Sequence, residues 1–489
     1  MLHKLTTARL FVLLLFISIF VMAVRAPVDT DMWWHLAAGR QMWHSHSILS
    51  EDPFSHTVLG KRWTNHSWLS QLIFYALYKL GGLQAIALAT ALAITLAWWV
   101  AYRQTEGNPY VRGFSLLLAA LASSVMWTPR PLIFTFLLFA VLNFLLERGR
   151  RNSRWLWLLP PLFMLWGNLH AGYIGGFVLL GCRLLGLLLE MLGARRFDGK
   201  VVRLAGICAL CIGAILINPH GYKVLLYPFA TVKVGPLRKY IQEWTSPDFH
   251  QLFVQPFIWL LLATFGAVGF SGQRMRGDEF IPLAVFCYLS LIACRNIPLF
   301  ALVAGPILAH YARYALSSLS KWAFSSSLSQ RFVLFESPRP GSPFINSLLL
   351  ALLLLAALLK VTVALAPSSL VKAEKALLPV GAVKFLREEH VPGNMFNDYN
   401  WGGYLIWQLY PEYKVFVDGR TTLYGEEVLG DYLRVMLVKT GWEDVLDKYK
   451  VSFILVKQDS TLARWLEREP TWHKAYEDRM AVVFRRKGP

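Results

Sequence analysis

The stretch LFVLLLFISIFVMAVRAPVDTDMWWH, residues 10–35, sets the terms on which the whole chain is read. Residues 10–26 are apolar and about long enough for a helix to cross the hydrocarbon of a bilayer. The short basic segment MLHKLTTARL precedes them. Two carboxylates, Asp29 and Asp31, follow at once with Trp33, Trp34 and His35. The basic flank resembles that of a signal peptide, but no small-residue cleavage site stands out and more apolar runs follow. The expectation is an uncleaved first span with a cytoplasmic N-terminus, and an acidic, aromatic segment where that span surfaces outside.

Outward from this stretch the chain stays apolar. Of its 489 residues 55% are hydrophobic and 16% charged, whereas a soluble domain carries roughly 25% charged residues. Further candidate spans are 84–102, 111–127, 132–147, 155–169, 173–192, 202–217, 252–270, 280–294, 298–312 and 344–366, about eleven transmembrane helices in all. The formal charge of +19 is not a nucleic-acid signal. From residue 367 onward lie 18 of the 49 basic and 17 of the 30 acidic residues, which leaves 31 against 13 in the membrane part. That excess sits in ERGRRNSR (147–154), ARRFDGKVVR (194–203), GQRMRGDE (272–279) and the 313–343 connection with Arg331 and Arg339. These are the loops that a cytoplasmic N-terminus puts inside, so the positive-inside bias agrees with the count. The five cysteines all fall in or beside apolar segments, and the CxxC of Cys208 and Cys211 lacks the polar access that a metal or redox site needs.

The predicted fold class is an α-helical polytopic membrane protein, residues 1–366, with a small C-terminal α/β extracytoplasmic domain, residues 367–489. In the tail KVFVDGR (414–420) and VSFILVK (451–457) read as buried strands, and VGAVKFLREE (380–389) and WEDVLDKYK (442–450) as amphipathic helices. The first outer loop, 27–83, is longer than a connector needs. In it Asp31 can cap a helix through Trp33–Trp43, and Thr64 or Asn65 can cap a second, HSWLSQLIFYALYKL (66–80), that runs to the Gly81–Gly82 stop. Both are aromatic on one face and are expected along the membrane surface.

The outer ends collect the chemistry-bearing residues. Six of the 13 acids of the membrane part lie there: Asp29, Asp31, Glu51, Asp52, Glu243 and Asp248. Asp52 and Asp248 stand next to prolines and read as turn formers. Asp29 and Asp31 are candidate catalytic groups together with His35. His66, Arg130 in a Pro-Arg-Pro turn, Asn168, His170, His220, Glu243 and Arg295 complete an outward-facing cluster.

These residues resemble the GT-C glycosyltransferases, which include oligosaccharyltransferase catalytic subunits, protein O-mannosyltransferases and the aminoarabinose transferase of lipid A. The resemblance rests on an Asp-x-Asp in the first outer loop and a soluble domain after the last span. DTDMWWHLAAGRQMWH (29–44), EDPFSHT (51–57), NHSWLSQLIFYALYKLGGL (65–83), RNIPLFAL (295–302) and FNDYNWGGYLIWQLYPEYKVFVDGR (396–420) are similar to a bacterial group of GT-C-like membrane proteins over nearly the whole chain. The resemblance implies a multi-pass protein of the bacterial plasma membrane that moves a sugar from a polyprenyl-phosphate-linked donor to an acceptor glycan, lipid or protein. In that reading Asp29 or Asp31 is the base. Arg130 and Arg295, helped by His170 or His220, meet the lipid phosphate. Trp33 and Trp34 stack on sugars or anchor the loop. Oligosaccharyltransferases carry a second Asp-x-Asp and a divalent metal, Mg or Mn. No second pair occurs here, so Asp31 with Glu243 is what a metal would have. The competing classes are a transporter or flippase of lipid-linked glycans and a membrane assembly protein. A transporter is expected to show internal repeats or mid-span charges, whereas the acids and histidines here gather at one end of the spans.

Overall fold

A computed structural model of the chain describes residues 5–195, 197–235, 241–323 and 342–487. Arg331, Arg339 and the end of the Ser-rich patch at 317–330 lie outside the described residues. The membrane part contains α1 (Thr7–Ala23), α2 (Met32–Ser45), α3 (Trp68–Gln104), α4 (Pro109–Ser123), α5 (Leu132–Arg151), α6 (Leu159–Leu169), α7 (Tyr173–Ala194), α8 (Gly199–Ile215), α9 (Lys223–Lys233), α10 (Gln255–Phe270), α11 (Gly277–Ile292), α12 (Ile297–Ala323) and α13 (Pro343–Ala364). Each of the eleven apolar stretches contains a helix. Among the described residues six helical segments are long and apolar enough to cross a membrane: Trp68–Gln104, Pro109–Met126, Leu132–Arg151, Tyr173–Ala194, Cys294–Leu319 and Pro343–Ala364.

Local chemistry sets the boundaries. Asn108 accepts from the Tyr110 amide at 2.8 Å with Pro109 in the first turn, which starts α4. The break expected at Gly81–Gly82 is present, because Gly82 has φ +61°, a conformation that a side chain resists, and α3 bends there. The residues before the bend pack on α2 and those after it enter the bundle, where Trp98 lies edge-on to Phe136 of α5 at 5.9 Å. In α13 the Lys360 ammonium donates to the Val21 and Val24 carbonyls at the end of α1, so the first and last helices of this part are tied together.

The remainder comprises α14 (Pro367–Leu377), α15 (Val380–Glu389), β1 (Asn394–Asn397), α16 (Gly402–Leu409), α17 (Thr421–Met436), α18 (Trp442–Lys448), β2 (Val451–Lys457), α19 (Thr461–Leu466), β3 (Trp472–Glu477) and β4 (Ala481–Arg486). The sheet has the order β1-β2-β4-β3, parallel between β1 and β2 and antiparallel elsewhere. The segment 451–457 is its strand β2, but 414–420 is not in the sheet. Its backbone is taken elsewhere: the Val415 amide donates to the Phe54 carbonyl at 3.1 Å, and Asn397 Oδ1 accepts from the Phe416 amide at 2.8 Å.

Helix α2 departs from the surface position expected for it. Met32, Trp33, Trp34, His35, Leu36, Ala37 and Ala38 are all buried, because the helix lies between α3 and α16. Arg40 holds the far side, donating to the Trp407 carbonyl at 3.1 Å with its guanidinium 4.3 Å from the Trp407 ring centre. The loop that opens the chain is thus wedged between the bundle and the C-terminal residues.

Candidate active site

The acids of the first loop divide their work. Asp29 Oδ1 accepts from the Asp31 and Met32 amides at 2.9 and 3.3 Å, so Asp29, not Asp31, satisfies the open turn before α2. This leaves the Asp31 carboxylate free for other partners. Its Oδ1 accepts from Trp34 Nε1 at 3.3 Å and its Oδ2 from Arg130 Nη1 at 2.8 Å. Arg130 stands just before α5, with Nε 3.3 Å from Asp29 and Nη2 3.0 Å from Glu243. Glu243 lies in the helical turn Gln242–Trp244 and also faces Arg295 at 3.5 Å. The Arg295 guanidinium rests 4.1 Å from the Trp244 ring centre.

Three carboxylates therefore share two guanidiniums, and the charge does not balance. Burial pushes the Asp31 carboxyl up, Arg130 pulls it down, and Asp29 and Glu243 push it up again, leaving it at about 6. For Glu243 burial acts upward too, but Arg130 and Arg295 outweigh it and hold that carboxyl below its ordinary range. The 24% of the Asp31 side chain that is exposed opens into a cavity of about 1650 Å³.

The C-terminal residues close one side of this cavity. Tyr399, Asn400, Gly419, Thr421 and Thr422 line it beside Asp31 and Arg295. Gly419 sits so close that a Cβ there would lie 1.9 Å from Asp31 Oδ1, so any side chain would displace the carboxylate or the segment. The next residue locks the arrangement. Arg420, 4% exposed, donates from Nη1 to Asp52 at 2.5 Å, and its Nη2 and Nε reach Asp418 at 2.6 and 2.9 Å. Asp52 forms the turn expected of it, accepting from the Phe54 and Ser55 amides at 3.1 Å, and it also bolts the loop to the tail.

A second wall consists of histidines. His170 Nδ1 accepts from the Gly172 amide at 3.1 Å and lies 2.9 Å from Thr135 Oγ1, which itself accepts from Trp166 Nε1 at 2.8 Å. An amide N–H can only donate, so the His170 proton is on Nε2. His35 is oriented in the same way by Gln71 Nε2, 3.3 Å from its Nδ1. His66 stacks on Tyr227 with ring centres 4.0 Å apart. Burial, and then the neighbouring imidazoles and guanidiniums, lower His35 and His170 well below the ordinary histidine range. Burial lowers His66 to about 3. All three are neutral at the cavity wall, and His35 and His170 carry their N–H on Nε2.

No protein-family model and no curated protein matches the chain. Solved structures do match its fold. ArnT from Cupriavidus metallidurans bound to undecaprenyl phosphate aligns with TM-score 0.51 and 15% identity over 97% of both chains. The archaeal oligosaccharyltransferase AglB from Archaeoglobus fulgidus, in complex with an inhibitory peptide and a dolichol-phosphate, aligns with TM-score 0.55 and 11% identity over 98% of this chain and 74% of its own. The chain has the GT-C fold. The arabinofuranosyltransferase AftD from Mycobacteria shares it too, at TM-score 0.52 and 14% identity, although the chain spans only 41% of that protein.

The GT-C arrangement brings Asp31, Trp34, His35, His66, Arg130, His170, Glu243 and Arg295 around one cavity. Other residues marked by the sequence fall elsewhere. Trp33 is buried edge-on against Tyr404, with ring centres 5.2 Å apart, and anchors α2. Asn168 accepts from Trp68 Nε1 at 3.0 Å and donates to the Ile217 carbonyl at 2.9 Å, so it ties loops together. Neither Asn168 nor His220 is among the residues that line the cavity. A divalent metal between Asp31 and Glu243 does not fit the side chains as placed, because both acids, with Asp29, converge on the Arg130 guanidinium. Among the described residues no group of three or more His, Cys, Asp or Glu side chains is arranged to hold a metal ion.

Proposed function

We propose that the chain is a glycosyltransferase that moves a sugar from a polyprenyl-phosphate donor to an acceptor hydroxyl or amide outside the plasma membrane of a bacterium. The observation that carries this reading is the Asp31 carboxyl, held at about 6 and open to a large cavity in a GT-C fold. Such a group is ionised near neutral pH yet basic enough to take a proton. The acceptor oxygen or nitrogen bonds to the anomeric carbon, the bond from that carbon to the phosphate oxygen breaks, the acceptor proton passes to Asp31, and the lipid phosphate leaves. Arg295, ion-paired only to Glu243 among the described residues, meets the leaving phosphate. The Nε2–H of His170 and of His35 donate to the phosphate or the sugar without adding charge. Trp34 borders the sugar. ArnT and AglB, captured with undecaprenyl phosphate and dolichol-phosphate, support the lipid class of the donor.

The same reading has eleven spans, a cytoplasmic N-terminus, and a C-terminal extracytoplasmic domain that completes the site. It is tested by incubating purified protein and an envelope extract with labelled polyprenyl-phosphate sugar. Label moving to an acceptor with release of free lipid phosphate supports it, provided the Asp31→Asn protein releases none. Label that changes membrane leaflet intact identifies a flippase. Label that stays bound and unchanged leaves an assembly protein.

A further inference from the structure

We propose that Arg130 is the resident cation of the acidic loop and occupies the place where a divalent metal would bridge Asp29, Asp31 and Glu243. The acids come from two distant stretches, and each meets a different nitrogen of one guanidinium: Asp29 at Nε, Asp31 at Nη1 and Glu243 at Nη2, at 3.3, 2.8 and 3.0 Å. Asp31 and Glu243 accept from the two Nη groups and Asp29 pairs with Nε by charge, an arrangement that suits the planar fork of arginine. The fork is fixed from behind. Arg130 stands between Pro129 and Pro131, its amide donates to the Thr128 carbonyl at 2.8 Å, and its Nε reaches Thr128 Oγ1 at 3.1 Å. A hard divalent ion takes oxygen ligands at about 2.0–2.6 Å and would have to replace this half-buried cation to gain them.

The consequence rests on the transferase reading for its chemistry but not for its geometry. The cation that sets the Asp31 carboxyl is covalently part of the chain, so it cannot be chelated and does not titrate in the working range. Arg130 is a positioning residue. It holds the base among three acids and leaves the leaving phosphate to Arg295.

The test is manganese binding, which does not depend on any transfer. Purified wild-type protein is titrated with Mn²⁺ and followed by electron paramagnetic resonance, beside Arg130→Ala and the double variant Arg130→Ala/Glu243→Gln. Wild type should show no stoichiometric Mn²⁺. Arg130→Ala should gain one site, and the double variant should bind it at least about tenfold more weakly, since a lost carboxylate ligand removes charge that the ion needs. One Mn²⁺ on wild type that Asp31→Asn removes would overturn the proposal, and so would a folded Arg130→Ala that gains none. Should Arg130→Ala not fold, Arg130→Gln replaces it. It keeps a polar side chain without the charge, so that variant should also gain Mn²⁺ binding, and failure to do so counts against the proposal. Where a transfer assay is in hand, EDTA should leave the wild-type rate unchanged and Mn²⁺ should raise the rate of Arg130→Ala.

Discussion

The bundle carries two clusters of charge, one at each end of α5, and they differ in a way that separates a site from a clasp. At the cavity end Asp29, Asp31 and Glu243 share Arg130 and Arg295. At the other end, a helix of about 30 Å away, Glu147, Asp278 and Glu279 meet Arg150, Arg183 and Arg276. Arg150 lies 2.7 Å from Glu147 and 2.6 Å from Asp278, Arg276 lies 2.7 Å from Glu279, and Arg183 lies 3.8 Å from Asp278. The loops there read as basic in the sequence, yet the acids are present and folded inward. Three acids against three arginines balance. Tyr311 adds a hydrogen bond to Glu279 at 2.9 Å, and none of these residues lines the cavity. This cluster joins α5, α7, α11 and α12. In the cavity cluster, one cation short, burial and then the charges of Asp29 and Glu243 hold the Asp31 carboxyl at about 6 against the pull of Arg130. Similar residues therefore leave a carboxylate open to the cavity in one place and hold helices together in the other.

The largest expected effect breaks this comparison outright. Asp31→Asn should lower the transfer rate ~10²–10⁴-fold, the range for a lost general base, with thermal unfolding in detergent unchanged. Arg150→Met should do the reverse. It leaves Asp278 and Glu147 short of a partner, at about 3–5 kcal/mol of stability, while the rate of the folded fraction stays at the wild-type value. A rate loss in Arg150→Met without a change in unfolding would make the two ends equivalent.

Gly419→Ala comes next. The added methyl would overlap the Asp31 carboxylate, so either the acid or the 418–420 segment must shift. Displacing a catalytic group by a fraction of an ångström is expected to lower the rate by ~10–100-fold. The Asp52–Arg420 ion pair should survive, read as near-normal unfolding. A wild-type rate would mean that Asp31 is not held where the geometry puts it.

Legibility in the sequence falls with distance along the chain. Each apolar stretch is a helix, and the Gly81–Gly82 break is readable, because both are local properties of the backbone. The cluster of loop residues at one end of the helices is legible as a set, since helices with short connections return the same ends to the same side. Its wiring is not. Arg130 lies 99 positions from Asp31, and Arg420 lies 368 from Asp52, and no local pattern encodes either pair. Local pattern assigns the helix cap to Asp31, because an Asp next to a helix start usually serves there. The Asx turn of Asp29 takes that role and releases Asp31 for the site. Local pattern also makes 414–420 a strand, since alternation cannot tell a sheet from an extended segment whose hydrogen bonds go to Asn397 and Phe54. For the same reason the glycine of VDGR gives no sign that it faces a carboxylate.

The smallest expected effect sharpens the charge argument itself. If Asp31 is the base, the rate must fall as acid protonates it, with a midpoint near about 6 in the wild type. Glu243 raises the Asp31 carboxyl through its negative charge, so Glu243→Gln removes one source of that rise. With fewer negative neighbours Asp31 gives up its proton more easily, and the acid limb of the rate profile should move to lower pH. An equivalent neutralisation at the balanced end, Glu279→Gln, should leave that limb where it is. A shift upward in Glu243→Gln would mean that the lost hold on Arg130 matters more than the lost repulsion, and that the cluster acts through its cation before its excess charge.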